Sequence, residues 1–138
     1  MTDSGSRTTL EDARSLATVA ARAAASKKAE GTVILEVGGL LAITDAFVIT
    51  SGTNARQVRT IAEEIEAQTK QAGRRGPLRV EGLDDARWVL LDYGDVVVHV
   101  FLDEARRYYD LERLWSDAPR WSWEPASLPG RGRAASGE

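Results

Sequence analysis

No cysteine occurs among the 138 residues, and there are only one histidine and four prolines. The missing thiols exclude cysteine-ligated zinc, iron–sulfur clusters, a thiol nucleophile and a disulfide scaffold. A lone His99 excludes a multi-histidine metal site. Long apolar runs are missing as well, since nothing approaches the ~18 residues that span a bilayer. The alanine-rich stretch from Leu16 to Ala25 is interrupted by Arg22 and preceded by Glu11 and Asp12, where a cleavable signal would be basic. These absences predict a retained N-terminus and a cytoplasmic chain with no membrane partner, no metal and no other cofactor. Nor is there an excess of positive charge. With 18 Lys and Arg against 21 Asp and Glu the net charge is -3, which argues against a DNA-binding protein that neutralises many phosphates. The expected partner is a protein. No GxxxxGK[ST] phosphate loop is present, and no GxGxxG follows a strand.

What is present suits one domain, because 43% of the residues are hydrophobic and a chain of this length buries roughly two-thirds of its unfolded surface. Met1 to Arg7 is polar and expected to be disordered. Thr8 and Glu11 have capping-box spacing, and Leu10, Ala13, Ala17, Ala20 and Ala24 recur at helical spacing as far as Lys27 and Lys28. Two strands are predicted at Thr32–Val37 and Ala46–Thr50. Asn54 and Gln57 then cap a second helix that carries Val58, Ile61 and Ile65 and runs to about Ala72. Leu78 to Glu81 reads as a third strand. Trp88 to Tyr93, Gly94-Asp95, and Val96 to Phe101 form a hairpin signature.

A two-residue Gly-Asp loop pairs Tyr93 with Val96, Leu91 with Val98 and Val89 with Val100 on one face, read as core. It leaves Trp88, Leu90, Asp92, Val97, His99 and Phe101 on the other, read as a partly exposed contact surface. A three-residue loop would change that parity. A third helix opens near Asp103 and carries Tyr108, Leu111, Leu114 and Trp115 at three- and four-residue spacing, with Tyr108 turned inward alongside Leu111 and Trp115. The tail starts near Pro119, and its Trp121 and Trp123 either dock on the domain or engage a partner. The order α-β-β-α-β-β-β-α predicts an α/β fold: a mixed sheet of about five strands covered by helices on one face, with the opposite face open. The domain boundaries read as 1–7 N-terminus, 8–118 domain and 119–138 tail.

Catalytic readings are weak. Ser51-Gly52 at a strand-to-helix junction is where a magnesium-dependent nucleotidyltransferase holds phosphate, but Arg56, Gln57 and Arg59 follow where metal-binding carboxylates belong, and Glu63 and Glu64 lie inside a helix. Asp92 and Asp95 straddle the hairpin as turn residues rather than as an acid–base pair. His99 sits in a run of valines, which suits a polar group within an apolar contact face better than a catalyst. Arg106-Arg107-Tyr108-Tyr109 combines basic and aromatic groups, a pairing also used on RNA.

Taken together, Thr44 to Gly52, Arg56-Gln57-Val58, Glu81-Gly82, Trp88 to Phe101 and Arg107 to Trp115 closely resemble the ribosomal silencing factor, or Iojap-like, family over about residues 8–118. The resemblance implies a nucleotidyltransferase-like topology without catalytic carboxylates, and a non-enzymatic translational repressor. It implies binding to the large ribosomal subunit through its ribosomal protein number fourteen, steric exclusion of the small subunit under nutrient limitation, and a homodimer in the free state. Carried onto this sequence, the binding role falls on Trp88, Leu90, Asp92, Tyr93, His99 and Phe101, with Arg107 and Tyr109 as secondary contacts.

Overall fold

Alanine dominates the buried side of the first helix, and its small side chain sets how closely the layers approach. The computed structural model describes residues 2–124, with side chains from Leu10 onward. Helix α1 spans Thr2–Ser26, and Ala13, Ala17, Ala20, Ala21 and Ala24 along it are fully buried. Its start lies upstream of Thr8, which corrects the expectation of a break there. No proline stands in this stretch to stop the helix. Strand β1 is Glu30–Glu36, β2 is Ala46–Gly52, helix α2 is Ala55–Gln71, β3 is Arg79–Glu81, β4 is Trp88–Asp92 and β5 is Val96–Leu102. Helices α3 (Asp103–Tyr109) and α4 (Leu111–Leu114) and strand β6 (Arg120–Trp121) complete the order.

The sheet has six strands in the order β3-β4-β5-β2-β1-β6, one more than the sequence suggests. Only β2 and β5 run parallel; the other neighbours are antiparallel. Central β2 is buried along its whole length, polar Thr50 and Ser51 included, as suits a strand covered on both faces. One sheet face packs against α1 and α2, where Ile34, Val48, Val98, Val100, Val89 and Leu91 meet Leu16, Val58, Ile61 and Ile65. Asn54 caps α2 by accepting the Gln57 backbone N–H at 2.8 Å, as its spacing predicts.

Strand β6 extends the sheet past Pro119. Its two residues pair with Ile34 and Leu35 of β1, and the Trp121 indole donates to Glu36 at 2.9 Å while Arg14 lies over its ring at 4.8 Å. Trp123 donates to the Thr32 carbonyl at 3.0 Å. Both tryptophans therefore dock on the domain, the first of the two alternatives open from sequence. Two residues are too few for an alternating pattern to announce a strand. The part of the tail from residue 125 onward lies outside the described residues.

The second sheet face is not open along its whole length, contrary to expectation. Ala105, Leu111, Trp115 and Ala118 cover Leu35, Val37, Phe47, Ile49 and Phe101. The single third helix expected from spacing is also broken. Asp110 adopts a left-handed backbone with φ of 49°, an angle that asparagine and aspartate tolerate best among side-chain-bearing residues. Tyr108, in the last turn of α3, is 78% exposed instead of turned inward, and α4 starts anew after the break.

Gly82, in the turn that leads to β4, has φ of +87°, and a Cβ there would sit against the Trp88 carbonyl oxygen. A left-handed backbone costs an L-residue roughly 1–2 kcal/mol before any clash. Gly82→Ala is therefore expected to lower unfolding stability by more than ~2 kcal/mol in urea titration, and a variant as stable as the wild type would refute this assignment of the turn.

Candidate partner-binding face

The β4–β5 turn determines which side chains share a face. Gly94 has φ of +91°, Tyr93 N–H donates to the Val96 carbonyl at 2.9 Å, and Trp88 pairs with Phe101, Leu90 with His99 and Asp92 with Val97. The two-residue loop and its parity are thus as expected. Trp88, Leu90, Asp92, His99 and Phe101 share the face away from α1 and α2. Parallel pairing of β2 with β5 brings Phe47 and Ile49 alongside, opposite Val97 and His99.

Tyr93 does not belong to this face. Strand alternation puts it with Leu91 and Val89 on the α2 side, where it is buried and its hydroxyl lies 2.9 Å from that of Thr69. Burial raises its pKa, against the smaller lowering effect of the Thr69 hydrogen bond. Phe101 is on the expected face but fully buried, its ring tilted against that of Trp88 at 5.0 Å. It supports the surface from below. Tyr109 joins the face, its ring 4.7 Å from that of Trp88 and 48% of its surface exposed. Arg107 is exposed and takes no part in the ring cluster.

Arg106, which the sequence offers beside Arg107 as a surface cation, is instead a fastener. Its guanidinium donates to the Glu30 and Gly31 carbonyls, to the Ser51 hydroxyl and to both oxygens of Glu112. It ties α3 and α4 to β1 and β2, and so holds Tyr109 over Trp88.

His99 is buried between Phe47, at 4.7 Å, and Trp88, at 5.9 Å. The Trp88 indole N–H donates to its Nδ1 at 3.0 Å, so the neutral ring carries its proton on Nε2. Burial lowers the imidazole pKa to about 4, because a cation is costly away from water. Asp92 behaves oppositely. A hydrogen bond from Arg79 at 2.9 Å holds its carboxyl below the usual range, against the opposing effect of burial, and its other oxygen accepts the Gly94 N–H at 2.9 Å.

Next to these side chains lies a groove of about 570 Å³, lined by Leu41, Ile43, Thr44, Phe47, Leu78 and Leu90 among others. Sequence reasoning missed Leu41, Ile43, Thr44, Phe47 and Leu78 because the strand order that joins them to the hairpin is non-local. The apolar run from Leu40 to Ile43 was the available signal.

The turn at Ser51-Gly52 has no room for phosphate chemistry. Ser51 is buried and bonded to Arg106, and the Gln57 carboxamide accepts the Thr53 N–H at 2.7 Å and donates to the Lys27 and Lys28 carbonyls at 3.1 Å. The first turn of α2 is consumed by the protein's own caps. Among the described residues no group of three or more His, Asp or Glu is placed to hold a metal ion, and no helix is long and apolar enough to cross a membrane.

The structure is that of an α/β domain with a partly exposed aromatic cluster on one face of a mixed sheet. A family model described as "Ribosomal silencing factor during starvation" matches residues 10–137. The chain is 45% identical over 106 residues to the ribosomal silencing factor of Bacillus subtilis, covering 77% of this chain and 89% of that protein. It is also similar to a crystal structure from Bacillus halodurans, with a TM-score of 0.68 and 41% identity over 79% of this chain and 98% of that one. A second crystal structure, from Chromobacterium violaceum, has a TM-score of 0.72 and 30% identity over 83% and 94%. This protein belongs to the ribosomal silencing factor family, whose members are regulators and not enzymes.

The neutral, buried His99 gives stability a defined pH dependence. Its folded pKa lies below the unfolded value, so between about pH 6.5 and 4 the unfolded state binds more protons and stability falls as pH falls. The loss attributable to this group amounts to about 3 kcal/mol across that window. His99→Phe is expected to be less stable at neutral pH, because Trp88 loses its acceptor, but to show a flatter decline on acidification in urea titrations at stepped pH. Parallel profiles for the two proteins would contradict the assignment.

Proposed function

We propose that this chain is a cytoplasmic translational repressor that docks on the large ribosomal subunit, chiefly on its ribosomal protein number fourteen. It blocks joining of the small subunit by occupancy when nutrients are scarce. The observation that carries the reading is the partly exposed Trp88–Tyr109 ring pair beside the apolar groove at Leu90. Aromatic side chains anchored in a buried cluster supply most of the energy at protein interfaces, while rim charges contribute little. Trp88 and Tyr109 are the anchors, Leu90 and Asp92 the flanking contacts, and His99 and Phe101 the support beneath them. Arg107 belongs to the rim. The binding unit is the 8–118 domain, of nucleotidyltransferase-like topology without the catalytic carboxylates. In the free state a second copy covers part of this apolar surface, giving a homodimer that dissociates on the ribosome.

Leu90→Glu places a charge on this surface without emptying the core. Co-sedimentation with isolated subunits is expected to show the wild type on large subunits and absent from small ones, with affinity reduced more than ~10-fold in the variant. Equal binding by the two proteins would remove the face from the interface.

A further inference from the structure

The two edges of the sheet are finished in different ways. At one edge β3 has three residues, two of them the charged Arg79 and Glu81. At the other, β1 is seven residues long and carries Val33, Ile34 and Leu35 in succession, and without β6 it would be the outermost strand. A long apolar edge offers unpaired N–H and C=O groups to any strand that approaches, including the same edge of a second copy. Here the segment from Pro119 to Trp123 engages β1 at each alternate residue. The Glu36 N–H donates to the Pro119 carbonyl at 2.7 Å, Ile34 pairs with Trp121, and the Thr32 carbonyl accepts the Trp123 indole N–H at 3.0 Å. A side chain thus makes the bond where a third backbone pair of the ladder would fall.

The segment is fastened on both faces of the sheet. Trp115 and Ala118, just ahead of it, belong to the cluster of Leu35 and Phe47, whereas Trp121 and Trp123 belong with Ile34 and the buried alanines of α1. Arg22 of α1 donates to the Trp123 carbonyl at 3.0 Å, and the Trp121 indole donates to Glu36 at 2.9 Å. These bonds hold a strand whose own ladder is only two residues long. What the segment turns outward is a poor template for further pairing, because Pro119 has no N–H to give and Arg120 places an exposed charge on the new edge.

We propose that Pro119–Trp123 is an edge guard: it occupies the outer side of β1 so that two copies of this chain do not join there. The pairing it excludes is antiparallel and two-fold symmetric, since an edge that meets itself across a two-fold axis runs antiparallel to its mate. The Val33-Ile34-Leu35 run lies in the middle of the stretch that the guard covers, where such an axis would pass. The proposal does not rest on the ribosome-binding reading, because Trp88 lies on β4, three strands away from β1.

Sedimentation velocity of the full chain over a range of concentrations tests the guard. Trp121→Ala/Trp123→Ala releases the segment and is expected to strengthen self-association by ~10-fold or more over the wild type. Trp121→Phe/Trp123→Phe keeps both rings but removes both indole donors, and is expected to shift association in the same direction to a smaller extent. Adding Glu36→Pro to either variant removes an outward N–H of β1, a change that an edge strand tolerates, and is expected to return association to the wild-type level. Association unchanged from the wild type in folded variants overturns the proposal, as does enhanced association that persists undiminished with Glu36→Pro, which would trace it to exposed core rather than to the edge. Circular dichroism identifies a variant that fails to fold; if the alanine pair does so, the phenylalanine pair decides by the same two outcomes.

Discussion

The hydrogen bond from the Trp88 indole to His99 Nδ1, 3.0 Å long, joins the two strands of the hairpin on the face proposed for binding. It holds Trp88 over Phe101, where Tyr109 from α3 packs against it at a tilt. It also selects the His99 tautomer, and with it the direction in which the ring can still donate. Burial keeps the imidazole neutral, so the cluster places a polar group inside an apolar surface without a buried charge to neutralise. All of this depends on the tight turn at Gly94, because a one-residue slip would exchange the faces.

Most of what surrounds the hairpin exists to hold that surface in place. Arg106 anchors the short α3–α4 segment to β1 and β2 through five donor contacts, more than a helix of seven residues could secure by packing alone. Strand β6 closes the far edge of the sheet, with Trp121 and Trp123 bonded across β1. The near edge, at β3, stays short and bears the Arg79–Asp92 pair, which suits an edge strand that must not recruit others.

The sequence was most legible where its signals are local. The Asn54–Gln57 cap, the glycine turn and the hairpin parity each depend on a few consecutive residues, and each is found as expected. Tyr93 shows the limit of resemblance: alternation already placed it with Leu91, and attaching it to the contact face went against the parity of its own strand. The cover over the second sheet face, the break at Asp110 and the addition of β6 depend on contacts between distant segments, which spacing does not report. Phe47 escaped for the same reason, since only the parallel pairing of β2 with β5 brings its ring to His99.

The proposed action by occupancy has no turnover to measure, so the central claim is about exclusion. The most direct test is light scattering of purified large and small subunits mixed with increasing amounts of this protein. The account predicts that the fraction of joined particles falls in step with occupancy of the large subunit, and that excess small subunit restores joining by competition. Full occupancy of the large subunit with undiminished joining would contradict it.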